Sequence, residues 1–439
     1  MSTGCAVGLD ERASSVSRVS IPHLAVPTRR QDTMSPPAAI PTSMSHPSPI
    51  VPTQSARGAG SGSARFPSRL FPMLAVVAAI MLAGGCASGT DGRSPADSPA
   101  PGVSPAESTG SGVSVHEYLA TADELRARAA LAGRGVEPYA SAVRSLLLEG
   151  ERAMQMDPRP EQPLEMTGVA GAFVGDSANA YTLALSYVVS GQRRYSEQAG
   201  KILDAWAATA TSTLGTCAHS GACLTSLAIS RTAPAFVFAA DLIGPARSFD
   251  EGRFRAWLRD VILPAASERT NNWGDAGAFM RLAVTAYLGD GQGFGAAVAF
   301  WRSQLDAVAA DGHIPEETRR GSDGLLYTQG ALSFKTAAAR LAQGRGIDLW
   351  EYRGKGGATL RNAVDYLATY WSRPQDWPWH QGGVRIPSVD PFWELVYALW
   401  PSARYAQILE MERPFGASGN SAVEWTTLTN GIAIGGRDR

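Results

Sequence analysis

The chain has 439 residues, 44% of them apolar, and a formal net charge of -1. That is ample material for a large buried core. The near-neutral balance excludes a typical nucleic-acid protein, which would carry a basic stripe to neutralise phosphates.

Up to about residue 115 the sequence is dominated by Ser, Pro, Gly, Ala and Thr without a sustained helical or strand period, a composition expected to stay disordered. Within it, Arg65 and Arg69 precede an apolar run from Leu70 to Ala83 that ends in Gly84-Gly85-Cys86. A basic flank, an apolar run and small residues have the layout of a secretory signal, and the run is shorter than the roughly 20 residues of a membrane span. The small residues before Cys86, followed by a flexible stretch such as Ser98-Pro99-Ala100-Pro101, resemble a bacterial lipoprotein signal, in which Cys86 becomes the lipidated first residue. Ala83 departs from that pattern by standing where a Leu is usual, and an ordinary cleaved signal is the alternative. In both cases we expect export to the cell envelope or beyond, with a membrane met only through a lipid anchor. Residues before Ser63 are long for a signal, which makes Met34 and Met44 alternative starts.

The expected organisation is therefore residues 1–86 as extension and signal, 87–114 as a Ser/Pro/Gly-rich linker, and 115–439 as one globular domain. Residues 1–86 hold 7 of the 39 basic and 3 of the 40 acidic residues, leaving 32 against 37, or -5. An anionic ligand must then be met by local basic groups rather than by the field of the whole molecule. After Cys86 only Cys217 and Cys223 remain, and in an oxidising space a disulfide closing that short loop is expected. His219 alone beside them is too few ligands for zinc. We expect no metal and no cofactor.

From Val115 onward apolar residues recur at helical spacing. Phe254, Trp257, Leu258 and Val261 share one face, with a capping-box pattern at Ser248-Phe-Asp-Glu251 before them and Pro264 near the end. Comparable helical segments are His116 to Leu131, Ala140 to Met154, Ala178 to Val189, Ser196 to Ala210, Leu224 to Leu242, Trp273 to Leu288, Phe294 to Ala309, Leu325 to Ala342, Ala358 to Tyr370 and Pro391 to Leu399. Short turns such as Ser190-Gly-Gln-Arg193 separate them. Strand-like alternation is confined to Gly431-Ile-Ala-Ile-Gly435, where one short strand is expected. The fold class is all-α, with antiparallel hairpins arranged as a toroid or a bundle; periodicity alone does not choose between these.

Two segments place polar and aromatic groups where a helix would prefer apolar ones. Asn271-Asn272-Trp273-Gly274-Asp275 reads as a helix N-terminus, where amides cap the backbone and the first turn offers donors to an anion; a plain cap with Trp273 in the core is the competing reading. The second runs from Asp311 to Tyr327 and carries Glu316, Glu317, Arg319, Arg320, Asp323 and Tyr327. Loop charges are mostly solvated, and Glu316, Glu317 and Arg319 are read that way. The spacing of seven between Arg320 and Tyr327 lets a loop residue return to a side chain one turn inside the following helix.

The two segments resemble the alginate lyase family, whose mannuronate-specific members have an (α/α) toroid, an Asn-Asn-His run and an Arg seven residues before a Tyr. The likeness extends over most of the globular part, including Tyr187-Val-Val-Ser-Gly-Gln-Arg-Arg-Tyr195, Ile202-Leu-Asp-Ala-Trp206, Ile229-Ser-Arg231 and Ala239-Ala-Asp-Leu242. It implies an incomplete toroidal barrel of helix hairpins, and a polysaccharide lyase acting on alginate or a related polyuronate. The substrate would be the only partner, and we expect a monomer.

The chemistry implied is β-elimination. The uronate C5 proton lies α to a carboxylate that must be neutralised before the proton can leave. Amide donors from Asn271 or Asn272 and the charge of Arg320 would do this and stabilise the enolate-like anion as it forms. By the resemblance Tyr327 is the acid and also a candidate base. An ordinary tyrosine ionises near pH 10, so a guanidinium beside it is part of the scheme.

One departure matters: Trp273 stands where the mannuronate lyases carry His. Either Tyr327 serves as base and acid in a syn elimination, or one of His116, His219, His313 and His380 is recruited. His380 is favoured, because Trp377 and Trp379 beside it can stack on sugar rings and Gly382-Gly383 permits close approach; ordinary core packing of the Trp residues competes with this. His219 is the second choice. Arg231 and Arg319 are further candidates for binding substrate carboxylates. Two other classes stay open. One is a lipid-anchored, non-catalytic polysaccharide-binding protein of the same fold. The other is an inverting glycoside hydrolase using Glu316 or Glu317 with Asp275 or Asp323, which would need carboxyls about 6.5–9.5 Å apart.

Overall fold

The computed structural model describes residues 118–435, apart from 169, 222, 247 and 418–422. The signal segment, Cys86, the linker and His116 lie outside the described residues. The described residues form helices α1 (Ala122–Gly133), α2 (Tyr139–Ala153), α3 (Ala172–Ser190), α4 (Arg193–Thr209), α5 (Leu224–Ile243), α6 (Glu251–Trp257), α7 (Asn272–Leu288), α8 (Gly291–Asp306), α9 (Pro315–Thr318), α10 (Gly324–Gln343), α11 (Leu360–Trp371), α12 (Trp393–Leu399), α13 (Ala403–Leu409) and α14 (Thr426–Thr429).

Composition sorts these helices into two layers. In α4 only one stripe is apolar: Tyr195, Ala199, Ile202, Leu203 and Trp206 are buried while the opposite face is polar, so the helix covers the core from outside. Helices α2 and α11 follow the same rule. Helix α5 is apolar all round, and nearly every residue from Thr225 to Ile243 is buried, which fits only an inner position. The inner helices α3, α5, α7 and α10 pack in succession, each connected to the next through outer elements. This is an (α/α) toroid.

The long helices leave the ring incomplete, and the C-terminal part fills the gap. Helix α12 packs on α10 and α14 on α12, while Trp425 Nε1 donates to Thr182 Oγ1 of α3 at 2.9 Å. Aromatic rings seal the interior, with Phe173 edge-on to Trp206 and Phe236 edge-on to Trp257. Trp206 also donates to the buried carboxylate of Asp176 at 2.8 Å, so its one polar atom is satisfied inside the core.

Three local expectations need correcting. The helix expected from Ser248 begins at Glu251, because Asp250 supplies the cap and accepts from Arg253 N at 3.0 Å. It continues as a π turn over Leu258–Ile262 and a 3-10 turn containing Pro264. The helix expected from His116 begins at Ala122, where Thr121 and Glu124 form a capping box. No strand forms at 431–435, and none exists among the described residues. The carbonyls there bond to side chains instead: Tyr139 Oη donates to Gly431 O at 2.9 Å and Arg413 to Ile432 O at 2.6 Å.

Candidate active site

The N-terminus of α7 is shaped by the chain that leads into it. Residues 267–271 run back along the first turns of the helix, so closely that a Cβ on Gly274 would collide with Arg269 O and one on Gly277 with Ser267 O. Gln304 of α8 holds the same strip by donating to Arg269 O at 2.8 Å. Asn271 is the N-cap, its side-chain oxygen accepting from Trp273 N at 3.1 Å, which leaves only its NH2 for other work. Trp273 is half-buried rather than in the core. The Arg269 guanidinium lies 3.7 Å above its ring centroid.

Arg320 and Tyr327 sit on the facing element. Pro315 opens the single-turn helix α9, which ends just before Arg320. Gly321 then turns the chain with φ +60°, a conformation that favours glycine, and leads into α10. The Arg320 guanidinium carbon lies 4.0 Å over the Tyr327 ring centroid, so the spacing of seven does bring the two together.

The residue that unites the segments is Glu317, which is not the solvated loop charge expected from its sequence setting. Glu317 is fully buried. Its Oε1 accepts from the backbone N–H of Asn272 at 2.6 Å and its Oε2 from Arg320 Nε at 2.9 Å. Burial pushes its pKa up to about 7, against the pull of the Asn272 N–H and the Arg320 charge and with a smaller push from Asp275. Near neutrality the carboxyl is thus part protonated, and the charge of Arg320 is only partly compensated. The sequence offers only a weak signal for this role: a carboxylate one helical turn before Arg320, in a helix opened by Pro.

One turn deeper, Asp275 of α7 and Lys335 of α10 form an ion pair at 2.5 Å with both side chains buried. Burial raises the Asp275 pKa and Lys335 opposes this. Asn272 faces α10 as well, since a Cβ on Gly330 would lie 3.9 Å from its Nδ2. Its Oδ1 is buried without a hydrogen-bond partner among the described residues, as is Thr328 Oγ1.

The remaining candidates divide. Trp377 is fully buried, packed edge-on against Tyr366 and Tyr370 and donating to Gly321 O at 3.0 Å; it supports the turn after Arg320 and offers no face to a sugar. Trp379 keeps 37% of its surface exposed, its ring tilted against His313 and its Nε1 donating to Tyr366 Oη. His380 is exposed and lines a pocket of about 470 Å³ with Pro374, Val384 and Ile386. Among the described residues it makes no hydrogen bond or ring contact with Asn271, Asn272, Arg320 or Tyr327. Arg319 is exposed and paired with Glu316 at 2.5 Å, and Arg231 on α5 lies within electrostatic reach of the buried Asp390.

Cys217 and Cys223 form a disulfide with Cα atoms 5.7 Å apart. The loop between them docks beside Trp273: Arg269 donates to Gly221 O and reaches Cys217 Sγ at 3.6 Å. His219 on this loop stays exposed, 3.4 Å from Glu268, which is paired in turn with Arg281. Among the described residues no His, Cys, Asp and Glu cluster is arranged to hold a metal ion.

The alginate lyase family model matches residues 106–377. Solved structures share the fold at low identity. An alginate lyase from Bacteroides ovatus is 18% identical with a TM-score of 0.54, covering 72% of this chain and 99% of its own. Alginate lyase A1-III from Sphingomonas species A1 is 16% identical with a TM-score of 0.59, covering 76% and 100%. A histidine-to-alanine variant of the latter, complexed with a tetrasaccharide, matches equally well. No curated protein matches the sequence. The family model spans well over half of the chain and takes in Asn271, Asn272, Arg320 and Tyr327, so this protein is a polysaccharide lyase belonging to the alginate lyase family.

Proposed function

We propose that the protein cleaves alginate or a related polyuronate by β-elimination, with Tyr327 moving the protons and with Asn272 and Arg320 neutralising the substrate carboxylate. The observation that carries this reading is the bonding of Glu317 to both Asn272 N and Arg320 Nε, with Arg320 stacked on Tyr327. It gathers an amide, a guanidinium and a phenol within one cluster. In the proposed step the uronate carboxylate lies against Asn272 and Arg320, whose donors stabilise the anion that develops as the C5–H bond breaks. The C5 electron pair forms the C4=C5 double bond, the C4–O4 bond breaks, and the departing O4 takes a proton. With Trp273 in place of a histidine, Tyr327 serves at both ends of the transfer. Asn271 contributes through the cap that fixes this turn.

Residues 87–114 would act as a linker between a lipid-bearing Cys86 and the toroid, holding the monomeric enzyme at the cell envelope. The hydrolase reading loses support because Asp275 is tied to Lys335 and Glu316 to Arg319. Binding without turnover keeps one observation in its favour, the Trp273 ring covered by Arg269. An ultraviolet assay for unsaturated product on alginate, polymannuronate, polyguluronate and other uronans decides between these. Product from the wild type and none from Tyr327→Phe supports the proposal; no product on any uronan overturns it.

A further inference from the structure

Arg269 is a cation whose surroundings supply everything except an anion. Its backbone is clamped by Gln304 and by the close approach to Gly274. Its guanidinium is sandwiched between the Trp273 ring and the disulfide loop, where it donates to Gly221 O and touches Cys217 Sγ. Among the described residues no carboxylate pairs with it, and its Nε is buried without a hydrogen-bond partner. Desolvation, unopposed by any neighbouring negative charge, pulls its pKa down. The contrast with Arg320 is direct, since Arg320 has Glu317 at 2.9 Å. A charge fixed on a ring face and at the edge of a cross-linked loop has already lost most of the freedom that binding would otherwise cost.

Position gives this cation a role. Trp273, which Arg269 covers, directly follows Asn272, and Asn272 is joined through Glu317 to Arg320 and Tyr327. The residues after Cys86 carry a net charge of -5 by the count above, so a polyanion is held here by local cations or not at all. Resting on the reading of the substrate as a polyuronate, we infer that Arg269 is a second carboxylate-binding group of the cleft, engaging a uronate carboxylate beside the Asn272 cluster while the Cys217–Cys223 loop and Trp273 hold it in place. A guanidinium suits this because its fork can keep one donor on Gly221 O and offer others to a carboxylate.

The test uses the inactive Tyr327→Phe protein as parent and compares binding of an oligouronate with binding of its carboxyl-reduced, neutral counterpart by calorimetry. Arg269→Gln in that background is expected to weaken oligouronate binding about tenfold, the scale of one charge-assisted hydrogen bond, and to leave binding of the neutral oligomer within about twofold. An equal loss for both oligomers, or no loss for either, overturns the inference. Arg269→Lys keeps the charge without the fork and covers the case in which Gln unsettles the loop. It is expected to retain the preference for the acidic oligomer, and a folded Lys variant lacking that preference also overturns the assignment. If the parent binds neither oligomer, the reading of the substrate fails and this inference with it. If the parent binds the acidic oligomer and Arg269→Gln binds it equally well, only this inference fails.

Discussion

The backbone N–H of Asn272 donates to the buried carboxyl of Glu317 across 45 positions of sequence, at 2.6 Å. The first turn of α7 has no intrahelical partner for its N–H groups, and Glu317 meets one of them from the neighbouring element. The other oxygen of the same carboxyl holds Arg320. One carboxyl therefore bridges the amide pair and the Arg–Tyr pair, within the packing of α7 against α10.

Replacing that side chain should loosen both segments. Glu317→Ala leaves the Asn272 N–H and Arg320 Nε without an acceptor, and an unmet buried group costs about 1–3 kcal/mol. Glu317→Gln keeps an acceptor and should cost less. Denaturant unfolding of the two variants checks the order, and a Gln variant as unstable as the Ala one contradicts it.

The same residue makes stability depend on pH in a defined direction. In the unfolded chain Glu317 ionises near its ordinary value of 4.5, and in the folded chain near 7. Between these values the folded protein keeps a proton the unfolded chain has lost, so stability falls as pH rises across that window and is level below and above it. Asp390, raised to about 6 by burial, adds to the fall in the same direction. Unfolding measured at pH 5 and pH 8 should show a larger decrease for the wild type than for Glu317→Gln; parallel decreases would falsify the assignment.

The contribution of the Asp275–Lys335 pair is tested by asymmetry. Removing one partner leaves a buried charge alone and should cost roughly 3–5 kcal/mol, whereas replacing both with apolar residues of similar volume should cost far less. Lys335→Met alone, Asp275→Leu alone and the double variant, compared by thermal unfolding, form the cycle. A double variant no better than the worse single one would show that the pair contributes more than charge compensation.

Closure of the helical hairpins into a toroid was legible only through the family resemblance, since periodicity fits a bundle equally well. The hairpins themselves were legible because outer helices such as α4 repeat their apolar residues on one face and α5 is apolar almost all round. The Arg320–Tyr327 pairing was legible for the same reason, since both lie within one stretch whose turn and helix are local. Glu317 was not, because its burial depends on the Asn272 N–H, 45 positions away, which only tertiary packing brings to it; Arg320 alone is a local partner. Arg269 has no local signal either: its place over Trp273 follows from Gly274 and Gly277 allowing two backbones to touch. Trp377 misled in the opposite sense, as an aromatic beside glycines reads like a sugar platform until its ring is found beneath Tyr366 and Tyr370. The alternation at 431–435 had no neighbouring strand to pair with, and side chains took its carbonyls.

The two asparagines, adjacent in sequence, should respond differently to truncation. Asn271→Ala removes the oxygen that accepts Trp273 N, so its first effect is loss of a helix cap, about 1 kcal/mol. Asn272→Ala leaves the backbone N–H to Glu317 in place and deletes an amide whose Oδ1 already lacks a partner, so the fold should hardly notice. If that amide acts on the developing anion, kcat should fall about 10²–10³-fold, as when one donor to a developing oxyanion is deleted, with a much smaller change in KM. Thermal midpoint and kcat measured on both variants separate the two roles: Asn271→Ala should move mainly the first and Asn272→Ala mainly the second. An Asn272→Ala enzyme within threefold of wild-type kcat would leave Arg320 as the sole neutralising group at the cleaved uronate.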